Sequence, residues 1–394
     1  MVNDNREVMI LAGEASGDLH GSRLASCLQS RAPGIRLSGM GSGKMQSAGV
    51  DLHIDCRDIA VVGLVEILRH WPAIKRALRT IEAAIERIRP DVLVLIDYVE
   101  FNLRMAAVAK RLGIHVVFYV SPQVWAWRPE RVHKIGQLVD MMAVIFPFEE
   151  KIYRDAGIPV RFVGHPLVGN MALETDREGL RQGYALDDDK KLVGLLPGSR
   201  ASEIRQLLPV LLASAVQLNS QRDDVEFVLP VAPGLDTSTI QGAVSSAGLC
   251  NVRVQEGGAY GVMAAADCIV IASGTATLEA ALLGVPMSIV YRVSPLSWWW
   301  MRRKLLVDNV GLANIVAEAR VVPEFLQEQC TVTNIVTEVV RQLDDQAYAD
   351  EMRAALAGIR SRLGEKNAAE EVATLVLEAL EARATGSGQE ISMA

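Results

Sequence analysis

The sequence predicts an α/β protein built from two Rossmann-like domains, and three observations carry that expectation. Short β-branched runs alternate with longer helix-period segments along nearly the whole chain, the pattern of βαβ units on parallel sheets. Each half opens with a strand that runs into a glycine-containing loop, at residues 13–17 in one and at Pro197-Gly198 in the other. Between the halves, residues 174–191 hold ten charged side chains in eighteen, against 22% charged residues overall, and a domain boundary is placed there.

Taken in order, strands are expected at 8–12, 92–96, 116–120 and 141–145, with helix between them at stretches such as 74–88. The glycines of Gly39-Met40-Gly41-Ser42-Gly43-Lys44 fall one short of a dinucleotide pattern and read as a flexible turn. The second half offers strands at 192–196, 226–229, 252–255, 268–272 and 287–291. After Pro323 the chain reads as helical at 332–343, 347–363 and 368–382. The tail at 385–394 is expected to be disordered.

At 394 residues the chain is long enough for two or three domains, taking about 150 residues for each. Charge sums to 40 minus 47, or −7, with 50% apolar residues, which excludes both a disordered chain and a basic nucleic-acid binder. Cys27, Cys56, Cys250, Cys268 and Cys330 form no C-x-x-C pair, so neither a disulfide framework nor a zinc site is expected. The charged start carries too short an apolar run for a signal peptide, and no stretch reads as a membrane span. The expected place is the cytoplasm, with any membrane contact made at a surface.

Parallel sheets bind ligands beyond the carboxyl ends of their strands, so the loops after strands are where chemistry is sought. Ser273-Gly274-Thr275 follows one strand and opens a helix whose free N–H groups would receive a phosphate. Glu279, four residues past Thr275 and about 6 Å along the axis, would then meet a ribose. The arrangement suits a nucleoside diphosphate, the alternative being a capped core helix with a solvated Glu279. Ser199-Arg200, after another strand, places a guanidinium to neutralise a leaving pyrophosphate, unless Arg200 simply pairs with Glu203. Asp97 ends the strand at 92–96 and would serve as a general base, or else as an ordinary loop residue. The loop Gly13-Glu14-Ala15-Ser16-Gly17-Asp18 lacks the motifs for ATP and NAD, and no cofactor is expected.

Six histidines are scattered without metal-ligand spacing, so no metal is expected, and no G-x-S-x-G elbow suggests a hydrolase. Tryptophan is concentrated at Trp71, at Trp125 and Trp127, and at Trp298-Trp299-Trp300, which precede Met301-Arg302-Arg303-Lys304. Successive helical residues turn by about 100 degrees, so three consecutive indoles cannot share one core face and at least one should be exposed. Around Trp71, residues 59–78 form an apolar stripe with basic residues, interrupted at Pro72. Basic and aromatic side chains together suit anionic lipid; the alternative is an inter-domain or homodimer contact.

Five motifs resemble the lipid-A-disaccharide synthase family of inverting glycosyltransferases. They are Ile10-Leu-Ala-Gly-Glu-Ala-Ser-Gly-Asp18, Tyr119-Val-Ser-Pro-Gln-Val-Trp-Ala-Trp127, Leu195-Leu-Pro-Gly-Ser-Arg200, Ala272-Ser-Gly-Thr-Ala-Thr-Leu-Glu279 and Pro323-Glu-Phe-Leu-Gln-Glu-Gln-Cys330. The resemblance implies a GT-B architecture, two Rossmann-like domains facing across a cleft that holds the active site. It implies transfer from UDP-2,3-diacylglucosamine to 2,3-diacylglucosamine 1-phosphate, giving a β-1,6 disaccharide 1-phosphate and UDP, at the inner face of the cytoplasmic membrane. It also implies a domain of residues 1–173 with a returning helix at about 366–384, binding acceptor, and one of 174–365 binding donor.

By resemblance, Asp97 and Arg200 are catalytic, and Ser199, Arg200, Ser273, Gly274, Thr275, Glu279, Tyr291, Arg292 and Asn314 bind donor. Glu14, Ser16, Gly17, Asp18, Glu66 and Asn102 fall on the acceptor side. Trp71, Trp298, Trp299, Trp300, Arg302, Arg303 and Lys304 are assigned to lipid contact. Two positions depart from the family pattern: Val99 and Ala313 stand where proline is usual. A UDP-N-acetylglucosamine 2-epimerase-like isomerase and a non-catalytic UDP-sugar binder at the membrane remain the alternatives.

Overall fold

The structure, a computed structural model, describes residues 6–58, 64–127, 129–169, 176–184, 186, 189–295, 298–299, 303 and 309–385, with backbone alone at 64–70 and 127. Trp300, Arg302, Lys304 and the tail from 386 therefore lie outside the described residues, as does the side chain of Glu66. The chain divides into two compact units, Met1–Gly169 with Leu363–Ala394, and Asn170–Arg362.

In the first unit seven parallel strands form one sheet: β1 (Glu7–Ala12), β2 (Arg36–Gly41), β3 (Asp51–Asp55), β4 (Val92–Ile96), β5 (His115–Tyr119), β6 (Met141–Val144) and β7 (Val160–Phe162). Their order is β3-β2-β1-β4-β5-β6-β7. Side chains alternate between faces along a strand. Val8 and Ile10 of β1 join Val92 and Val94 of β4 in one core, and Met9 and Leu11 join Leu93 and Leu95 in the other. Helices Ala15–Arg31 and Ala368–Ala384 cover the first face through Leu24, Leu28, Val372 and Val376. Helices Leu64–Ile88 and Val99–Arg111 cover the second through Ile81, Ile85, Phe101 and Met105. Burial on both faces is why these strands read as unbroken apolar runs.

The second unit repeats the plan with β8 (Lys191–Leu196), β9 (Val225–Val231), β10 (Val252–Glu256), β11 (Cys268–Ala272), β12 (Met287–Tyr291) and β13 (Glu324–Leu326), ordered β10-β9-β8-β11-β12-β13. Helices Ala201–Gln221 and Val332–Asp344 pack Leu207, Leu211, Ile335 and Val339 onto Val193, Leu195, Phe227 and Val270. In each sheet the order reverses beside the first strand, between β1 and β4 and between β8 and β11. Such a reversal parts the loops at the carboxyl ends and opens a crevice for ligand.

Four strands escape the sequence reading, and one expected turn is corrected. Gly39, Met40 and Gly41 are not a flexible turn but the buried end of β2, paired to β1. A Cβ on Gly39 would lie 1.9 Å from the Ile10 carbonyl oxygen and one on Gly41 would meet the Met45 side chain, so these glycines serve close packing rather than mobility. β3 is an alternating edge strand, and β7 and β13 have three residues each. Pro72 does not interrupt its helix, which runs continuously from Leu64 to Ile88. Proline in a helix interior costs about 3 kcal/mol. The buried side chains of Ala77, Ile81, Ala84 and Ile85 on the following turns offset that cost.

Candidate active site

At the carboxyl edge of the first sheet, β4 ends and the chain enters two consecutive left-handed residues, Asp97 (φ 47°) and Tyr98 (φ 42°). Non-glycine residues occupy this region at a cost, and it is held here by surrounding bonds. The Asp97 N–H donates to the Tyr119 carbonyl at 3.1 Å. From the helix that follows, Asn102 Nδ2 donates to the carbonyls of Ile96 (3.2 Å) and Asp97 (2.7 Å). The Tyr98 ring lies so close to Gly13 that a Cβ there would meet it at 2.2 Å. The turn thus fixes Asp97 beside the loop after β1. Burial, and then the charge of Glu14, push the Asp97 carboxyl up to about 6. A carboxylate with that pKa is poised to take a proton near neutrality.

Asp97 and Glu14 line a cavity of about 550 Å³ whose other walls include Trp71, Ile74, Leu78, Val99 and Phe101. Behind it, β5 leads into Val120, a β-branched residue at φ 66°, and then into Ser121. Ser121 Oγ and Tyr153 Oη share a 2.8 Å hydrogen bond. The Trp125 indole N–H donates to Glu149 at 3.1 Å, and burial pushes that carboxyl up to about 8. Sequence reasoning gave Glu149 no role, because nothing in its spacing shows that it faces inward.

The second sheet opens on a cavity of about 450 Å³ bounded by the loops after β8, β9, β10 and β11. Ser199, Arg200, Ser273, Gly274 and Thr275 all line it, together with Gly257-Gly258 and residues 230–233, which the sequence reading missed. The glycine pair directly after β10 was the available signal. At the start of helix Ala201–Gln221, the Glu203 carboxylate accepts from the N–H groups of Ser199 (2.9 Å) and Arg200 (3.2 Å) and from Arg200 Nη1 (2.9 Å). The Arg200–Glu203 pairing foreseen as an alternative is therefore present. Its arginine side chain is 65% exposed, and exposed pairs are worth about 0–1 kcal/mol, so an anionic ligand can displace it. Gly198 (φ 111°) is needed for this close approach, since a Cβ would stand 2.3 Å from Glu203 Oε2.

Thr275 makes no capping hydrogen bond and is exposed, while Ser273 Oγ donates to the Val310 carbonyl at 2.7 Å. Burial raises the Glu279 carboxyl and the Tyr291 hydroxyl, the latter also under the charge of Glu203. Arg292 Nη2 donates to the Cys330 carbonyl. The motif beginning at Pro323 braces these loops from behind. Glu324 accepts from the N–H groups of Val310 (2.9 Å) and Gly311 (3.0 Å) and from Asn314 Nδ2 (2.8 Å).

Three expected site residues turn inward instead of facing a cavity. Asn314 is fully buried and spends its amide on Val321, Val322 and Glu324. The Asp18 carboxylate accepts from the N–H groups of Ser42 (2.6 Å), Lys44 (3.2 Å) and Met45 (3.1 Å), tying the start of the helix Gly43–Ser47 to the helix Ala15–Arg31. Asn102 is buried beneath Asp97. Ser16 and Gly17 lie in the first turn of Ala15–Arg31, Ser16 exposed and Gly17 packed on Ala12. Trp71 and Trp299 are 48% and 47% exposed, and the Arg303 guanidinium lies 3.6 Å above the Trp299 ring. Among the described residues no group of three His, Cys, Asp or Glu is placed to hold a metal.

A family model described as lipid-A-disaccharide synthetase matches residues 8–376. A lipid-A-disaccharide synthase of Geobacter sulfurreducens is 46% identical over 378 residues, covering 96% of this chain and 98% of its own. Among solved structures, a UDP-GlcNAc 2-epimerase from Neisseria meningitidis bound to UDP-GlcNAc is similar with a TM-score of 0.60 at 14% identity, covering 95% of this chain and 99% of its own. The calicheamicin glycosyltransferase CalG4 is similar with a TM-score of 0.59 at 15% identity, covering 96% and 99%. At these identities the two structures speak for the fold, the two-sheet α/β architecture of GT-B glycosyltransferases and epimerases.

Proposed function

The chain belongs to the lipid-A-disaccharide synthase family, and from that premise we propose how its residues divide the reaction. The activity is inverting glycosyl transfer. A 2,3-diacylglucosamine unit passes from UDP-2,3-diacylglucosamine to the 6-hydroxyl of 2,3-diacylglucosamine 1-phosphate, giving the β-1,6 disaccharide 1-phosphate and UDP. The epimerase alternative is not favoured, since the match to the synthase family runs over nearly the whole chain.

Asp97 takes the proton of the acceptor hydroxyl as that oxygen attacks the anomeric carbon from the face opposite UDP. The bond from that carbon to the diphosphate breaks, and negative charge gathers on the departing oxygen. Arg200, released from Glu203, meets that charge, with N–H groups of the Ser273–Thr275 and Gly257-Gly258 loops. Glu279 accepts from the ribose, and Tyr291 and Arg292 close the nucleotide side. Asn102 and Asn314 act as positioning residues, one under Asp97 and one behind the donor loops. The observation that carries this reading is a carboxyl lifted to about 6 beside an apolar cavity, at the point where the first sheet reverses.

No helix among the described residues is long and apolar enough to cross a membrane. Both substrates carry acyl chains, so the enzyme works peripherally at the inner face of the cytoplasmic membrane. Trp71 and the Trp299–Arg303 pair supply apolar and basic contact. UDP release measured with and without acylated glucosamine 1-phosphate tests the assignment. Release should depend on that acceptor and survive EDTA. Acceptor-independent turnover, or epimerised UDP-sugar as product, would overturn it.

A further inference from the structure

The cavity at Asp97 contains a charge that the reaction above leaves unused. Among the described residues its acidic lining comprises Glu14, Asp97 and Glu100, and Arg104 is its single basic lining residue. Glu100 is answered by Arg131 at 2.8 Å. Arg104 is exposed and has neither hydrogen bond nor ion pair with another described residue. A guanidinium facing a cavity with no partner among the described residues can take an anion without breaking any bond they make to it. A phosphomonoester entering the same cavity would otherwise meet the charges of Glu14 and Asp97 unopposed.

We propose that Arg104 anchors the anomeric phosphate of the acceptor and thereby selects a sugar 1-phosphate over an uncharged glycoside. This rests on the assignment of Asp97 to the acceptor side. Arg104 lies seven residues beyond Asp97 and five into the helix that begins at Val99, and both line the cavity. Arg104 thus stands about 7.5 Å along the axis from Val99 at 1.5 Å per residue. Helical side chains lean toward the N-terminus, so the guanidinium returns part of that distance toward Asp97. The acceptor carries its reacting 6-hydroxyl on the carbon attached to C5 and its phosphate on C1, the two ring carbons that flank the ring oxygen, so both groups project from one edge of the pyranose. With the hydroxyl at Asp97, the phosphate on that same edge falls to Arg104, which lines the same cavity and whose planar fork fits two phosphate oxygens at once. Trp71, Ile74 and Leu78 line the same cavity and leave the acyl chains an apolar wall.

The test compares 2,3-diacylglucosamine 1-phosphate with its 1-O-methyl glycoside in wild type, R104Q and R104K. Wild type should favour the phosphate by tenfold or more in kcat/KM. In R104Q the value for the phosphate should fall by about tenfold to a hundredfold, mainly through KM, as for loss of a hydrogen-bonded charge pair. The value for the methyl glycoside should hold, and R104K should be intermediate. Equal losses on both acceptors, or no loss on either, would overturn the proposal. Anionic headgroups share the phosphate chemistry, so sedimentation with phosphatidylglycerol vesicles is the second arm. R104Q should sediment like wild type, and lost vesicle binding with intact discrimination would assign Arg104 to the bilayer instead. Calorimetric binding of the acceptor phosphate without donor is the third arm and needs no turnover. Weaker binding in R104Q supports the anchor even in an enzyme that releases no UDP, where the reaction assignment alone fails. Equal binding in both proteins rejects it.

Discussion

The two sheets reverse at the same point of their topology, yet the crevices they open present different polar groups. Beyond β1 and β4 the walls are Trp71, Ile74, Leu78, Val99 and Phe101 beside three carboxylates and one guanidinium, and the charge of Glu14 adds to the cost of charging Asp97. Beyond β8 and β11 aliphatic residues such as Leu196, Val231 and Ile271 share the wall with glycines, hydroxyls and Arg200, and the carboxylate present is already tied to backbone N–H groups. The glycines after the two leading strands show the same divergence. Gly13 makes room for the Tyr98 ring and so helps aim Asp97, whereas Gly198 makes room for the Glu203 carboxylate. Topology decides where a ligand can bind, and a few loop residues decide whether the place accepts a proton or holds an anion.

The sharpest way to separate the two crevices is to remove one function from each. Asp97→Asn should lower kcat by at least about 100-fold, the scale of a lost general base, with UDP affinity unchanged by calorimetry. Retention of a tenth of activity would unseat Asp97. Arg200→Ala should do the reverse. UDP affinity should weaken by about tenfold or more, as for loss of a charged hydrogen bond, and the deficit should shrink as salt rises. Equal UDP affinity in the variant and wild type would break the contrast.

A smaller effect tests whether the carboxylates of the first crevice act on each other. As a base, Asp97 works only when ionised, so kcat/KM should fall as pH drops through about 6. Glu14 is the second cause of that elevation, after burial. Glu14→Gln removes a like charge and leaves the burial, so the acid limb should move to lower pH by under about one unit. A limb that stays in place, or moves upward, would show that Glu14 does not act on Asp97 through its charge.

Strands buried on both faces were legible because burial leaves an unbroken apolar run, as in β4 and β11. β2 was not, because Gly39 answers to the neighbouring Ile10 carbonyl and Gly41 to the Met45 side chain, and close approach leaves no trace in hydropathy. The site was legible where a functional group projects from a loop after a strand, as at Asp97, Arg200 and Ser273. It was illegible where orientation decides. Asp18, Asn102 and Asn314 have the chemistry of site residues and the partners of internal braces. Arg104 has the sequence of an ordinary helix surface, and only the cavity beside it distinguishes it.

The smallest expected effects concern the exposed indoles, where the two units differ again. Trp71 is part of an apolar cavity wall, while Trp299 carries the Arg303 guanidinium on its face. An interfacial contact made by Trp71 is apolar, so Trp71→Ser should reduce sedimentation with anionic vesicles equally at low and high salt. Arg303→Gln should reduce it only at low salt, by about fivefold, because one basic residue near an anionic surface is worth about 1 kcal/mol and is screened. Trp299→Ser removes the platform on which Arg303 rests and should show both components. UDP affinity should be unchanged in all three variants, since none of these side chains lines the donor cavity. If Trp71→Ser proves as salt-dependent as Arg303→Gln, the two surfaces meet lipid in the same way, and the contrast between the units ends at their crevices.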